Sequence, residues 1–154
     1  MSYLENSDQS VTVNKKNNAD YARRIVNVIS KFFRFLVLFS KQPEFQATYA
    51  LGQPSIKKLI LLNTVLFPSY YFSEEFFYRG FLFLGLWRRI KWHSFWVTDF
   101  IFAFAHLGKP GLEILLSMFA SVVFNILTLS TKSIYPALIT HWVVGCTFIL
   151  LINA

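Results

Sequence analysis

The sequence predicts an all-α integral membrane protein: a bundle of about four to five transmembrane helices plus a basic amphipathic N-terminal interfacial helix. Three observations predict it. Of the 154 residues, 55% are hydrophobic and only 15% charged, with a mean hydropathy of +0.44. An ordinary soluble domain is about one-quarter charged, so polar residues are too few to cover a soluble globule. Two uncharged runs, 114–131 and 133–154, hold 18 and 22 residues, against the roughly 20 a helix needs to cross hydrocarbon. The net charge of +7 is concentrated early, with nine Lys and Arg in residues 1–58. A basic surplus beside apolar helices points to membrane lipids as its partner, not nucleic acid.

The elements follow in chain order. Residues 1–20 are polar, without apolar periodicity or the apolar core of a secretory signal, and are expected to be a disordered tail. In 21–40, Arg24, Asn27, Lys31 and Arg34 recur at spacings of three and four, while Ile25, Val28, Ile29, Phe32, Phe33, Leu36 and Phe39 fill the other faces. That pattern is a basic amphipathic helix lying in the membrane interface. Residues 41–58 hold Pro43, Gly52 and Pro54 and read as a loop closed by Lys57 and Lys58. The domain organisation is therefore a tail over 1–20, an interfacial helix and loop over 21–55, and a transmembrane bundle over 56–154.

Within the bundle, Pro68 interrupts an uncharged stretch over 59–73. Residues 57–90 are one long helix kinked at this proline, or two spans over 56–67 and 69–90. In the second case Lys57, Lys58, Arg88, Arg89 and Lys91 share the cytoplasmic side. A further helix is expected over about 93–107, stopped by Gly108, Pro110 and Gly111, with a short turn at 130–133 before the last helix. The lone Cys146 excludes an internal disulfide.

An ionisable residue inside an apolar helix costs about 2.5–3.5 kcal/mol on insertion scales and marks a function by default. Glu74 and Glu75 are adjacent and point about 100° apart on a helix. Arg79 follows Glu75 by four, the spacing of an intrahelical ion pair, which leaves Glu74 as a carboxylate able to serve as general base. His106 ends the run FIFAFAH and His141 lies in ITHWVVG on the last helix. If these converge, a water can sit between Glu74 and His106, with His141 offered to a developing oxyanion. Glu74, His106 and His141 are equally a candidate metal set, since zinc accepts carboxylate and imidazole. The HExxH helix is absent, so spacing alone implies no zinc. No G-x-S-x-G surrounds Ser69 or Ser73, which argues against serine chemistry. The role of Asp99 is open, and His93 reads as interfacial.

The run Glu74-Glu75-Phe-Phe-Tyr-Arg79 fits EExxxR, Phe102-Ala-Phe-Ala-His106 fits FxxxH, and His141 fits the start of HxxxN/D. In this order they resemble the CPBP family (CAAX protease and bacteriocin processing, also called Abi), intramembrane endopeptidases that include the type II CAAX prenyl proteases. The resemblance covers roughly residues 66–152. It implies hydrolysis of a peptide bond in a peptide or prenylated-protein substrate, by CAAX-type or leader-peptide processing, in a bacterial-type cell membrane. It implies that Glu74 and His106 activate the attacking water, that Glu75 and Arg79 support them, and that His141 stabilises the oxyanion. Whether the chemistry is metallo- or glutamate-type stays open. One position departs from the pattern: four residues after His141, where the family often has Asn or Asp, stands Gly145. Asn125 on the preceding helix is the candidate substitute. The departure motivates an alternative, a catalytically idle CPBP-like immunity or scaffold membrane protein. A third reading makes Glu74 and Glu75 a proton or ion relay.

Overall fold

The computed structural model describes residues 23–24, 26–27 and 30–154. The expected tail over 1–20, and Ile25, Val28 and Ile29 of the expected amphipathic helix, lie outside these. The chain divides into two compact units, Met1–Phe39 and Ser40–Ala154. In the first, every described residue is helical, and residues 30–40 form α1. Lys31, Arg34, Phe32 and Phe33 are all exposed on it.

The second unit is helical, with no strand among the described residues. Its first element corrects the expected loop over 41–58: Pro43–Tyr49 is a seven-residue helix, α2. Pro43 stands at its first turn, where a fixed φ is preorganised and a missing N–H costs nothing. Gly52, at φ +75°, and Pro54 then restore the loop.

From Ile56 to Ile90 the chain is one unbroken helical rod, so the reading as a single long helix is the one the fold adopts. The rod has five segments: α3 (Ile56–Leu61), a π-helical segment Leu62–Leu66, α4 (Phe67–Glu75), a second π segment Phe76–Phe83, and α5 (Leu84–Ile90). Ser55 caps its start by accepting from the Lys58 N–H at 3.3 Å. Pro68 falls in the first turn of α4, just past the first π segment. The wider turn there takes up the N–H that proline lacks and the clash its ring makes with the preceding turn. Three helices follow, α6 (His93–Phe104), α7 (Gly111–Thr131) and α8 (Tyr135–Ile152). Gly108, at φ +93°, turns the chain between α6 and α7, and Lys132 caps α7 in the left-handed region at φ +55°.

Packing closes these elements into a four-membered bundle. α6 lies against α7, α7 against α8, and α8 against α4, while the second π segment of the rod meets both α6 and α7. Burial is inverted relative to a soluble protein. Glu75, Arg79, Ser94, Thr98, Asp99, Ser121, Asn125 and Thr128 are buried, whereas Phe81, Trp96, Phe104, Leu115, Phe119 and Ile139 are exposed. Water would drive the opposite sorting; lipid permits this one, because the surroundings are as apolar as a core and polar groups serve as the contacts between helices. α7 and α8 are long and apolar enough to cross a membrane, with mean hydropathies of 2.0 and 1.8, and only 28% and 17% of those windows are buried. A core helix of a soluble protein would be mostly covered. α6, at 12 residues, is shorter than the roughly 20 residues of a perpendicular span.

Candidate active site

Glu74 and Glu75 end α4, at the point where the rod widens into its second π segment. Two adjacent residues on a helix cannot share a face, and the bundle treats these two differently. Glu75 is fully buried against α8. Its Oε1 accepts from His141 Nδ1 at 2.7 Å, and its Oε2 lies 3.2 Å from Arg79 Nε. Glu74 keeps 15% of its side chain exposed. Its Oε1 accepts from the Tyr70 hydroxyl at 2.6 Å, one helical turn earlier. Its Oε2 lies 3.9 Å from His141 Nε2, too far for a hydrogen bond. His141 therefore stands between two carboxylates, its Nδ1–H committed to Glu75 and its Nε2 facing Glu74.

Arg79 is fully buried, and its Nη1 and Nη2 have no hydrogen-bond partner among the described residues. Aromatic faces take their place: the guanidinium carbon lies 4.2 Å from the centre of the Phe102 ring and 5.0 Å from that of Phe124. Such contacts favour a desolvated cation electrostatically. The same rings reach the imidazoles. Phe124 is 5.1 Å from His141, and Phe102 is 6.0 Å from His141 and 4.7 Å from His106. Tyr71 closes the box, its ring 4.4 Å from that of His141.

His106 lies in the turn after α6 and is buried. Its Nδ1 donates to the Phe102 carbonyl at 2.8 Å, which leaves Nε2 as the acceptor of the neutral ring. It makes no hydrogen bond or ion pair with Glu74 or Glu75. Four of the five expected residues, Glu74, Glu75, Arg79 and His141, are thus in direct contact through one cluster. The fifth joins through Phe102.

Several neighbours were not singled out from sequence. Tyr70 carried a readable signal, four residues before Glu74 on the same helix face. Phe102 was visible only as a motif letter, and Phe124 and Tyr71 gave none. Asn125, the expected stand-in beside Gly145, is occupied elsewhere: its Nδ2 donates to Asp99 Oδ1 at 2.9 Å in the contact between α6 and α7. That bond also gives Asp99 a partner. His93 is exposed and begins α6. As for a metal, no three His, Cys, Asp or Glu side chains among the described residues are arranged to hold one. Glu74, His106 and His141 do not fit a metal ion in this arrangement.

Comparison with known proteins identifies a family. The family model for type II CAAX prenyl endopeptidase, Rce1-like, matches residues 55–147. No curated protein and no solved structure matches the chain.

Proposed function

The chain belongs to the Rce1-like family of type II CAAX prenyl endopeptidases, and from that premise we propose that it hydrolyses a peptide bond inside the membrane with water activated by Glu74 and His106. The family is one of membrane-embedded proteases with peptide or protein substrates. The rod, α6, α7 and α8 form its membrane bundle, with the apolar side chains named above turned to lipid, and α1 lies along the interface.

The observation that carries the mechanism is the unequal treatment of the two glutamates. Glu75 is sealed and has both oxygens engaged, so it orients His141 and balances Arg79. Glu74 is partly open, with an oxygen unbonded beside the imidazole. Glu74 takes a proton from water as the water oxygen bonds to the scissile carbonyl carbon, and His106 Nε2 orients that water. The carbonyl π pair moves onto its oxygen. His141, held at Nδ1 by Glu75, presents its Nε2 edge to that oxyanion and stabilises it. Collapse re-forms the carbonyl and breaks the C–N bond, and Glu74 returns the proton to the leaving amine. The products are an acid and an amine, with no group of the protein consumed.

The test uses the purified full chain in detergent micelles with an internally quenched farnesylated CAAX peptide. Glu74→Gln and His106→Ala should each lower turnover by about 10²–10⁴-fold, the usual worth of a general base. Cleavage at the wild-type rate by both variants overturns the reading.

A further inference from the structure

Gly145 offers no side chain one turn beyond His141, and α4 fills the place it leaves. The contact from Glu75 to His141 and the packing of Tyr71 on Gly145 run in opposite senses along the two helices, so α4 and α8 are antiparallel. Glu75 and His141 make one rung, and Tyr71 and Gly145 make the next. On that second rung a Cβ added to Gly145 would overlap the Tyr71 hydroxyl outright and lie 2.6 Å from its Cζ. No residue but glycine fits there with Tyr71 in position.

The Tyr71 hydroxyl thus occupies the space that a side chain at 145 would enter. Its ring lies along the His141 imidazole at 4.4 Å. Tyr71 precedes Glu74 by three residues, so both sit on neighbouring turns of one face of α4. Tyr70 has its hydroxyl committed to Glu74, whereas no acceptor among the described residues takes the Tyr71 O–H. The ring itself already demands glycine opposite, since its Cζ would lie 2.6 Å from a Cβ at 145, but an aromatic ring packed beside an imidazole needs no hydroxyl. A phenol beside His141 that donates to nothing among the described residues has its O–H available to another molecule.

Resting on the peptidase reading above, we infer that Tyr71 is a further catalytic residue, donating a hydrogen bond beside His141 to the oxygen that gains charge in the tetrahedral intermediate. The hydroxyl keeps its proton throughout; it binds charge and transfers nothing. In this chain the second polar group of the site comes from α4 instead of α8, and Gly145 is the complement that admits it.

The experiment measures kcat and KM separately for the purified full chain on the quenched farnesylated CAAX peptide. The variants are Tyr71→Phe, Tyr71→Leu, Tyr71→Leu with Gly145→Asn, Glu74→Gln, and Tyr135→Phe as a control at an exposed tyrosine. Thermal unfolding is followed for each. Removal of one oxyanion donor lowers kcat by about 10²–10³-fold. Tyr71→Phe should show that loss with KM within about twofold and an unchanged melting temperature, and Tyr135→Phe should match the wild type. Asn at 145 should recover at least about tenfold of the kcat lost in Tyr71→Leu, because the shorter side chain frees the space for an amide donor. Wild-type kcat in Tyr71→Phe, or a loss confined to KM, overturns the inference while a dead Glu74→Gln leaves the peptidase reading standing. No cleavage by the wild type, or full cleavage by Glu74→Gln, overturns the peptidase reading and Tyr71's role with it.

Discussion

Two polar clusters are buried in the same bundle, and they are built to different rules. One joins Glu75, Arg79 and His141 where α4 meets α8, with Glu74 at its edge. The other lies between α6 and α7, where Asn125 bonds Asp99 and where Thr98, Ser121 and Thr128 are all fully buried. In the α6–α7 seam the residues on α7 recur at 117, 121, 125 and 128, the spacing of one helix face. Small polar side chains of this kind let two helices approach and bond in lipid. The α4–α8 cluster is charged, lined with aromatic rings, and left open at Glu74 and His141. The difference separates a contact that holds helices together from the one proposed above to hold a reaction. Both are polar and buried; only one keeps an unbonded carboxylate oxygen within reach of an oriented imidazole.

This contrast can be broken in four places, in falling order of effect. Glu74→Gln should abolish most turnover, by the 10²–10⁴-fold given above, while leaving the melting temperature near that of the wild type, because Glu74 is not sealed into the bundle. Calorimetry or a thiol-reactive dye assay in detergent reads the second half of that statement. Glu75→Ala should act in the opposite manner, removing about 3–5 kcal/mol of stability by stranding the Arg79 cation in a buried site; an unchanged melting temperature would mean the pair is not what holds Arg79. Asn125→Ala, in the seam, should cost about 1–3 kcal/mol by leaving Asp99 without its donor, with kcat per folded molecule preserved. Loss of kcat there at full stability would dissolve the distinction between the clusters. Tyr49→Phe should have the smallest effect, about 1 kcal/mol. Its hydroxyl donates to both carboxylate oxygens of Glu113 at 2.7 Å and ties α2 to the start of α7, at a distance from either cluster.

Much of this was legible in the sequence. Scarcity did the work at the active cluster: in apolar helices a Glu-Glu pair, an Arg four residues on and two histidines stand out, and the i,i+4 pairing of Glu75 with Arg79 follows from helix geometry alone. The long runs that became α7 and α8 were equally plain. What stayed hidden has physical reasons. The π segments at Leu62–Leu66 and Phe76–Phe83 leave no composition signal, since a π turn uses the same residues as an α turn and is set by what packs beside it. The helix at Pro43–Tyr49 hides behind its own Pro43, since proline breaks a helix interior but begins a helix well. Asn125 faces Asp99 on α6 and not Gly145, because adjacency of α7 to α8 in sequence says nothing about which face of α7 a residue occupies. Tyr71 was lost among 18 Phe and seven Tyr; only its overlap with a side chain at 145 distinguishes it.

The unbroken rod also fixes a depth. Lys58 and Arg88 mark the basic ends of one continuous helix, separated by about 45 Å at ordinary helical rise, the thickness of a bilayer with its headgroups. If the rod crosses the membrane as proposed, basic residues at its two ends face opposite leaflets. Glu74 falls close to the midpoint. Laid across a bilayer, the carboxylate proposed as general base is about as far from bulk water as any point in the membrane, so a hydrolase working as proposed has to solve supply of its second substrate, water, before any question of bond cleavage arises. The polar openings it keeps beside Glu74 and His141 are therefore a plumbing requirement as much as a chemical one, and thickening the lipid around the rod should starve the reaction without touching a single side chain.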